Sequence, residues 1–160
     1  MPPELLVIIP CSAVKTAMAV GSALPAGELY AAGSYHRMCR RAGEALIRCG
    51  GELRVLSAKF GLIALEDRIA PYDLRVGQPG SVDGQQLRRQ VQILGLERAK
   101  TVIVLAGRAY AQPVAEVWPA VLRPLAGTRG IGEQRGRLSR IANVQDPLAT
   151  AAAYAGHAEL

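Results

Sequence analysis

Apolar positions in this chain fall into short unbroken runs separated by stretches of helical spacing, the pattern of strands buried on both faces alternating with amphipathic helices. The first run, residues 5–9 (LLVII), stops at Pro10, which has no amide hydrogen to offer a ladder. Residues 11–25 show little periodicity and read as a surface loop over the carboxyl end of that strand. From Ala26 the spacing turns helical, with Leu29, Ala32, Cys39, Gly43, Leu46 and Ile47 on one stripe. Gly33-Ser34 leaves one long helix or two shorter ones equally open, and Gly50-Gly51 closes the segment.

Residues 53–56 form the second strand, followed by a turn through Ser57-Ala58-Lys59 that Gly61 closes and a charged stretch ending in Ala70-Pro71-Tyr72-Asp73. Residues 76–81 read as a turn-rich connector, after which Asp83 is a candidate cap for a helix carrying Leu87, Val91, Leu94 and Leu96. Residues 101–105 (TVIVL) give the clearest strand. A helix over 110–117 carries Pro113 early, where proline is tolerated, and residues 120–122 are expected to add a fourth, edge strand. Glycine-rich residues 127–132 lead into a basic helix over 133–141. This order predicts an α/β fold: a single three-layer domain over residues 1–145, on a mainly parallel sheet of about four strands with right-handed crossovers, then a C-terminal tail or helix over 146–160.

Composition changes this picture little. Half of the 160 residues are apolar, enough for a sizeable core. The longest apolar runs fall far short of the roughly 20 residues a bilayer span needs, and the start lacks the features of a signal peptide, so no membrane association and a cytoplasmic location are expected. Cys11, Cys39 and Cys49 lack C-x-x-C spacing and read as reduced thiols. No cofactor or metal is expected, since H-E-x-x-H, G-x-S-x-G and clustered His/Cys patterns are missing. Nineteen Lys and Arg against thirteen Asp and Glu leave a charge of +6, which suits a nucleotide, a phosphate or a nucleic acid and equally fits an arginine- and alanine-rich composition.

If the strands are parallel, three connections leave the same sheet edge: Cys11-Ser12 to Lys15, Ser57 to Lys59, and Gly107-Arg108 to Tyr110. Ligands in open α/β sheets bind outside the carboxyl ends of the strands. Lys15, Lys59 and Arg108, the Gly107 amide and the hydroxyls of Ser12 and Ser57 would together cradle a phosphate or carboxylate. Asp73 reads either as a turn residue bonding nearby amides or as a general base. Cys11 reads as a nucleophile beside Lys15 or, preferably, as a small buried hydrophobe. His36 reads as a surface or supporting residue and His157 as part of the tail. Gly130 and Gly132, before a helix, offer an anion site or simply a tight turn.

These residues carry a family pattern: Pro10-Cys11-Ser12 with Lys15, Leu29-Tyr30, S-A-K-F-G-L over 57–62, I-A-P-Y-D over 69–73, Ala106-Gly107 with Tyr110, and G-I-G-E-Q over 130–134. The pattern resembles a small uncharacterised α/β domain family of bacteria, archaea and phages with links to tRNA-guanine transglycosylase-like proteins. Its start is similar to the P-C-x-x-x-K motif of archaeosine synthase and, more distantly, to the YaaA peroxide-stress family. The resemblance implies a uracil-DNA-glycosylase-like fold and an enzyme acting on a nucleobase or N-glycosidic bond of a nucleotide or nucleic-acid substrate. Asp73, Lys59 and Cys11 would then serve catalysis, with Ser12, Lys15, Tyr30, Ser57, Gly61, Tyr72, Gly107, Arg108, Tyr110, Gly130 and Gly132 binding substrate. The alternative is a nucleic-acid-binding module that positions a partner modification enzyme; a homo-oligomer and thiol chemistry at Cys11, including amide transfer, are further expectations.

Overall fold

The computed structural model describes residues 2–157; the end of the expected tail, 158–160, and the side chain of His157 lie outside the described residues. Strand β1 (Leu5–Pro10) is buried along its whole length and is hydrogen-bonded on both edges, parallel to β3 (Glu52–Ser57) on one side and to β6 (Thr101–Val104) on the other. A run of branched apolar side chains suits that position, because such a strand has no face to give to water. Leu5, Val7 and Ile9 point into one apolar cluster, and Leu6 and Ile8 into the other.

Helices cover both faces. On the Val7 side pack α2 (Ser34–Leu46), α5 (Ile131–Asn143) and α6 (Pro147–His157), through residues such as Cys39, Leu138, Ile141 and Ala151. On the Ile8 side lie α3 (Gly84–Leu94) and α4 (Arg108–Val117), through Leu87, Val91 and Val114. The alanine-rich end of the chain is thus a docked helix; its Ala151 and Ala155 are buried, and Tyr154 lies under the Arg137 guanidinium at 4.8 Å. Of the two readings left open at Gly33-Ser34 the break is the one present, with Gly33 as the N-cap of α2 and a short helix α1 (Ala26–Leu29) and 3-10 turn (Tyr30–Ala32) before it. Directly before α1, strand β2 (Leu24–Pro25) pairs with β5 (Arg68–Ile69) in a separate two-stranded ribbon.

The sheet is mainly parallel, as expected, with one antiparallel pair: β4 (Gly61–Ile63) folds back on β3, giving the order β4-β3-β1-β6. The fourth strand is therefore not residues 120–122, where Leu122 makes only a single bridge to Ile103. A three-residue strand inside a motif of turn residues leaves no period to detect. Its tight return depends on Gly61, at φ +74, and on Gln90 of α3, which donates to the Phe60 carbonyl at 3.0 Å and accepts from the Leu62 amide at 2.7 Å. Asp83 caps α3 as the sequence suggests, in a reciprocal box with Gln86. Among the described residues, no helix is long and apolar enough to cross a membrane.

Candidate functional site

Where β1, β3 and β6 end, the chain turns away from the sheet and buries polar groups. Cys11 continues the ladder, its amide donating to the Leu56 carbonyl at 3.1 Å, and its thiol lies 3.2 Å from the Tyr110 hydroxyl. At the end of β3, the fully buried Ser57 hydroxyl accepts from the amides of Lys59 at 3.3 Å and Phe60 at 3.1 Å. With both lone pairs so engaged, its proton goes to the Tyr72 oxygen at 2.7 Å, and Tyr72 in turn contacts the Tyr30 hydroxyl at 2.6 Å. Burial pushes Tyr30 up to about 12 and raises Tyr72 and Tyr110 as well, so all three stay protonated phenols. The Tyr72 ring also carries the Lys15 ammonium at 4.5 Å from its centre and meets Phe60 edge-on. Partial burial lowers the Lys15 pKa, against the opposing pull of Cys11 and Asp73.

His36 lies on the buried face of α2 and is 1% exposed. Its Nδ1 is 2.7 Å from the Pro10 carbonyl, an oxygen that only accepts, so Nδ1 carries the proton and Nε2 is the bare nitrogen. Burial lowers its pKa, the bond to Pro10 opposes this, and the nearby Arg40 and Arg37 charges add to the lowering; the ring is neutral. Nε2 is buried and has no partner among the described residues.

A cavity of about 320 Å³ opens here, lined by Cys11, Ser12, Ser34, His36, Arg75, Gly107 and Tyr110 among others. Its volume falls at the lower end of the ~300–1,000 Å³ of small-molecule sites. Gly33 lets Ser12 sit against the start of α2, for a Cβ at that position would collide with the Ser12 side chain. Neither α2 nor α4 has a side-chain cap.

The candidate residues divide between several places. Cys11, Ser12, Gly107 and Tyr110 share the cavity; Tyr30, Ser57 and Tyr72 form the hydroxyl chain, and Lys15 lies on the Tyr72 ring. The three cations do not line one cavity. Lys59 faces a hollow on the α3 side with Gln86 and Arg89, while Arg108 lines another of about 430 Å³ with Arg123 and Thr128. Asp73 is exposed, Gly61 is a turn residue beside Gln90, and Gly130 and Gly132 stand in open space at the start of α5. Arg75, Ser34 and Tyr35 line the cavity without having been candidates, and His36, expected at the surface or in a supporting place, is buried. His36 was detectable: it falls three residues before Cys39 on the stripe that continues through Gly43 and Leu46, a polar side chain on an apolar face. Among the described residues, no group of three or more His, Cys, Asp or Glu side chains gathers as a metal site would require.

Residues 6–140 match a family of unknown function (DUF6884), and the chain belongs to that family. No curated protein and no solved structure matches it.

Proposed function

We propose that this protein is an enzyme acting on a nucleobase or N-glycosidic bond of a nucleotide or nucleic-acid substrate, on a uracil-DNA-glycosylase-like scaffold in the cytoplasm. The observation that carries this reading is the cavity at the carboxyl ends of the parallel strands, lined by Cys11, Ser12, Gly107 and Tyr110, with the Lys15 ammonium held over the ring of Tyr72 at the end of the same sheet. The Pro10-Cys11-Ser12 and Ser57-Ala58-Lys59 stretches, on which the resemblance rests, lie at the same strand ends.

In this reading the base enters the cavity, Lys15 and Ser12 hold the phosphate, and Asp73 does acid–base work at the sugar. The bond from sugar carbon to base nitrogen breaks with its electron pair going to the nitrogen, which takes a proton from solvent, a proton that Asp73 returns to solvent after the step. Water supplies hydroxide to the sugar carbon as Asp73 receives the water's proton, and the carboxylate offsets the positive charge that develops on the sugar. Lys59, facing the α3-side hollow, has no part in this step.

Incubation with nucleoside monophosphates and short oligonucleotides, followed by chromatography for free base, tests the reading. Base release is expected, with Asp73→Asn slower by about 100-fold or more. Release at the wild-type rate in that variant would remove Asp73 from the mechanism, and no release from any substrate would remove the activity.

A further inference from the structure

The cavity of about 430 Å³ lies beyond the end of β6, between the start of α4 and residues 123–128. Its polar lining is Arg108, Gln112, Arg123, Thr128 and Gln134, with no Asp or Glu among the lining residues. Helices α4 and α5 and the segment 123–130 together hold two carboxylates, and both are turned elsewhere. Glu116 of α4 lies over Gly84 at the start of α3. Glu133 of α5 accepts from the Arg129 amide at 2.9 Å and pairs with Arg137 at 3.3 Å. The two guanidiniums of the cavity are left without a neutralising partner. Among the described residues neither Arg108 nor Arg123 belongs to an ion pair, and Nε of Arg123 is buried with no hydrogen-bond partner. A charge drawn out of water in that way is costly until an opposite charge completes it.

The donors select the ligand. Guanidinium groups only donate, and Gln134, whose Oε1 accepts from the Tyr35 hydroxyl at 2.7 Å, has its amide hydrogens left to give. A cation would be repelled, and a neutral ligand would leave both charges unpaired. Two guanidinium forks offer more N–H groups than the two oxygens of one carboxylate take up, whereas a phosphate presents three terminal oxygens. The wall is also held in place, since Arg137 donates to the carbonyls of Pro124 and Ala126 and the Thr128 hydroxyl donates to Leu125. We propose that this cavity is a phosphate-binding site, with Arg108 and Arg123 as its charged donors. It adjoins the Cys11 cavity: Gly107 lines one and Arg108, next in the chain, lines the other, and Tyr35 of the first bonds Gln134 of the second. A substrate crossing that wall would carry a second phosphate besides the one assigned to Lys15, as a dinucleotide does. This deepens the nucleotide reading and rests on it for the group that carries the phosphate.

The test is nitrogen NMR on the full labelled chain at fixed ionic strength, with inorganic phosphate and the 5′-phosphorylated dinucleotide pUpU as probes and uridine as the control without phosphate. Both phosphate probes are expected to shift the Gly127 and Thr128 amides and the Arg108 and Arg123 side chains, and uridine to leave them in place. Arg108→Gln, an exposed position at a helix start, and Arg123→Gln are each expected to weaken both probes by at least about tenfold. Arg98→Gln removes the same charge from an exposed position elsewhere and is expected to bind like the wild type. No shift with either phosphate probe, shifts confined to other arginines, or an equal loss in Arg98→Gln would each overturn the site; the wild-type spectra and Arg108→Gln decide it even if Arg123→Gln fails to fold. Tighter binding of pUpU than of inorganic phosphate supports the site and makes a nucleotide the carrier, while equal binding supports it for the free anion. Phosphate bound as expected by a protein that releases no base keeps the site and removes the glycosidic reading. Base release from pUpU that Arg108→Gln and Arg123→Gln leave at wild-type kcat/KM does the reverse.

Discussion

Ser57, Tyr72 and Tyr30 show how a residue can be singled out in the sequence and still take a different part from its sequence reading. Ser57 was expected to face a ligand, yet its hydroxyl is spent on two amides and a phenol, and its place in the site is to hold Tyr72. Tyr72→Phe would leave both Ser57 and Tyr30 short of a partner. A loss of about 1–3 kcal/mol in urea unfolding is expected, larger than for Tyr35→Phe, whose hydroxyl donates to Gln134 alone. Tyr30 supplies a pH test. Its folded pKa of about 12 lies above the unfolded value of 10.0, so the fold favours the protonated phenol. The stability this gives is fully present below pH ~10 and is lost as pH rises toward ~12. Melting temperatures across that window should fall less steeply in Tyr30→Phe than in the wild type; an identical slope would mean that the phenol does not titrate with unfolding.

Among the elements, those with strong local signals were legible and those fixed by tertiary contact were not. The first strand, the TVIV strand and α3 announced themselves by apolar runs and by Asp83 with Gln86 at cap spacing. Strand β4 was hidden because three residues carry no period, and because what fixes its turn is a Gln90 side chain from another element. That turn can be tested directly. Gly61→Ala would strain a residue at φ +74 and push a methyl into Gln90, with an expected cost of about 1–3 kcal/mol. Gly77→Ala, at φ +96 but in open space, carries the backbone strain without the collision. A smaller loss of stability there than at Gly61, measured by urea unfolding, would isolate the contribution of the Gln90 contact.

For the whole molecule, alternation of strands and helices was enough to foresee a mainly parallel sheet with a polar edge where β1, β3 and β6 end. It was not enough to foresee the grouping of side chains. Sequence order tells which loops leave an edge, whereas the direction each side chain takes from that edge depends on packing, and so Lys15, Lys59 and Arg108 separate. The arginines of α5 are a second case. Arg135 donates to Ser34, and Arg137 to the carbonyls of Pro124 and Ala126, so charges that suggested a nucleic-acid face are partly spent inside the fold. The position of β1, paired on both edges, has a further consequence. Its amides can exchange with deuterium only when the sheet itself comes apart, while those of the exposed stretch 77–80 need only a local opening. Amides of 6–9 should therefore be among the last to exchange and those of Gly77, Gln78 and Gly80 among the first, and the Cys11 end of the cavity is moored to the slowest-opening part of the protein.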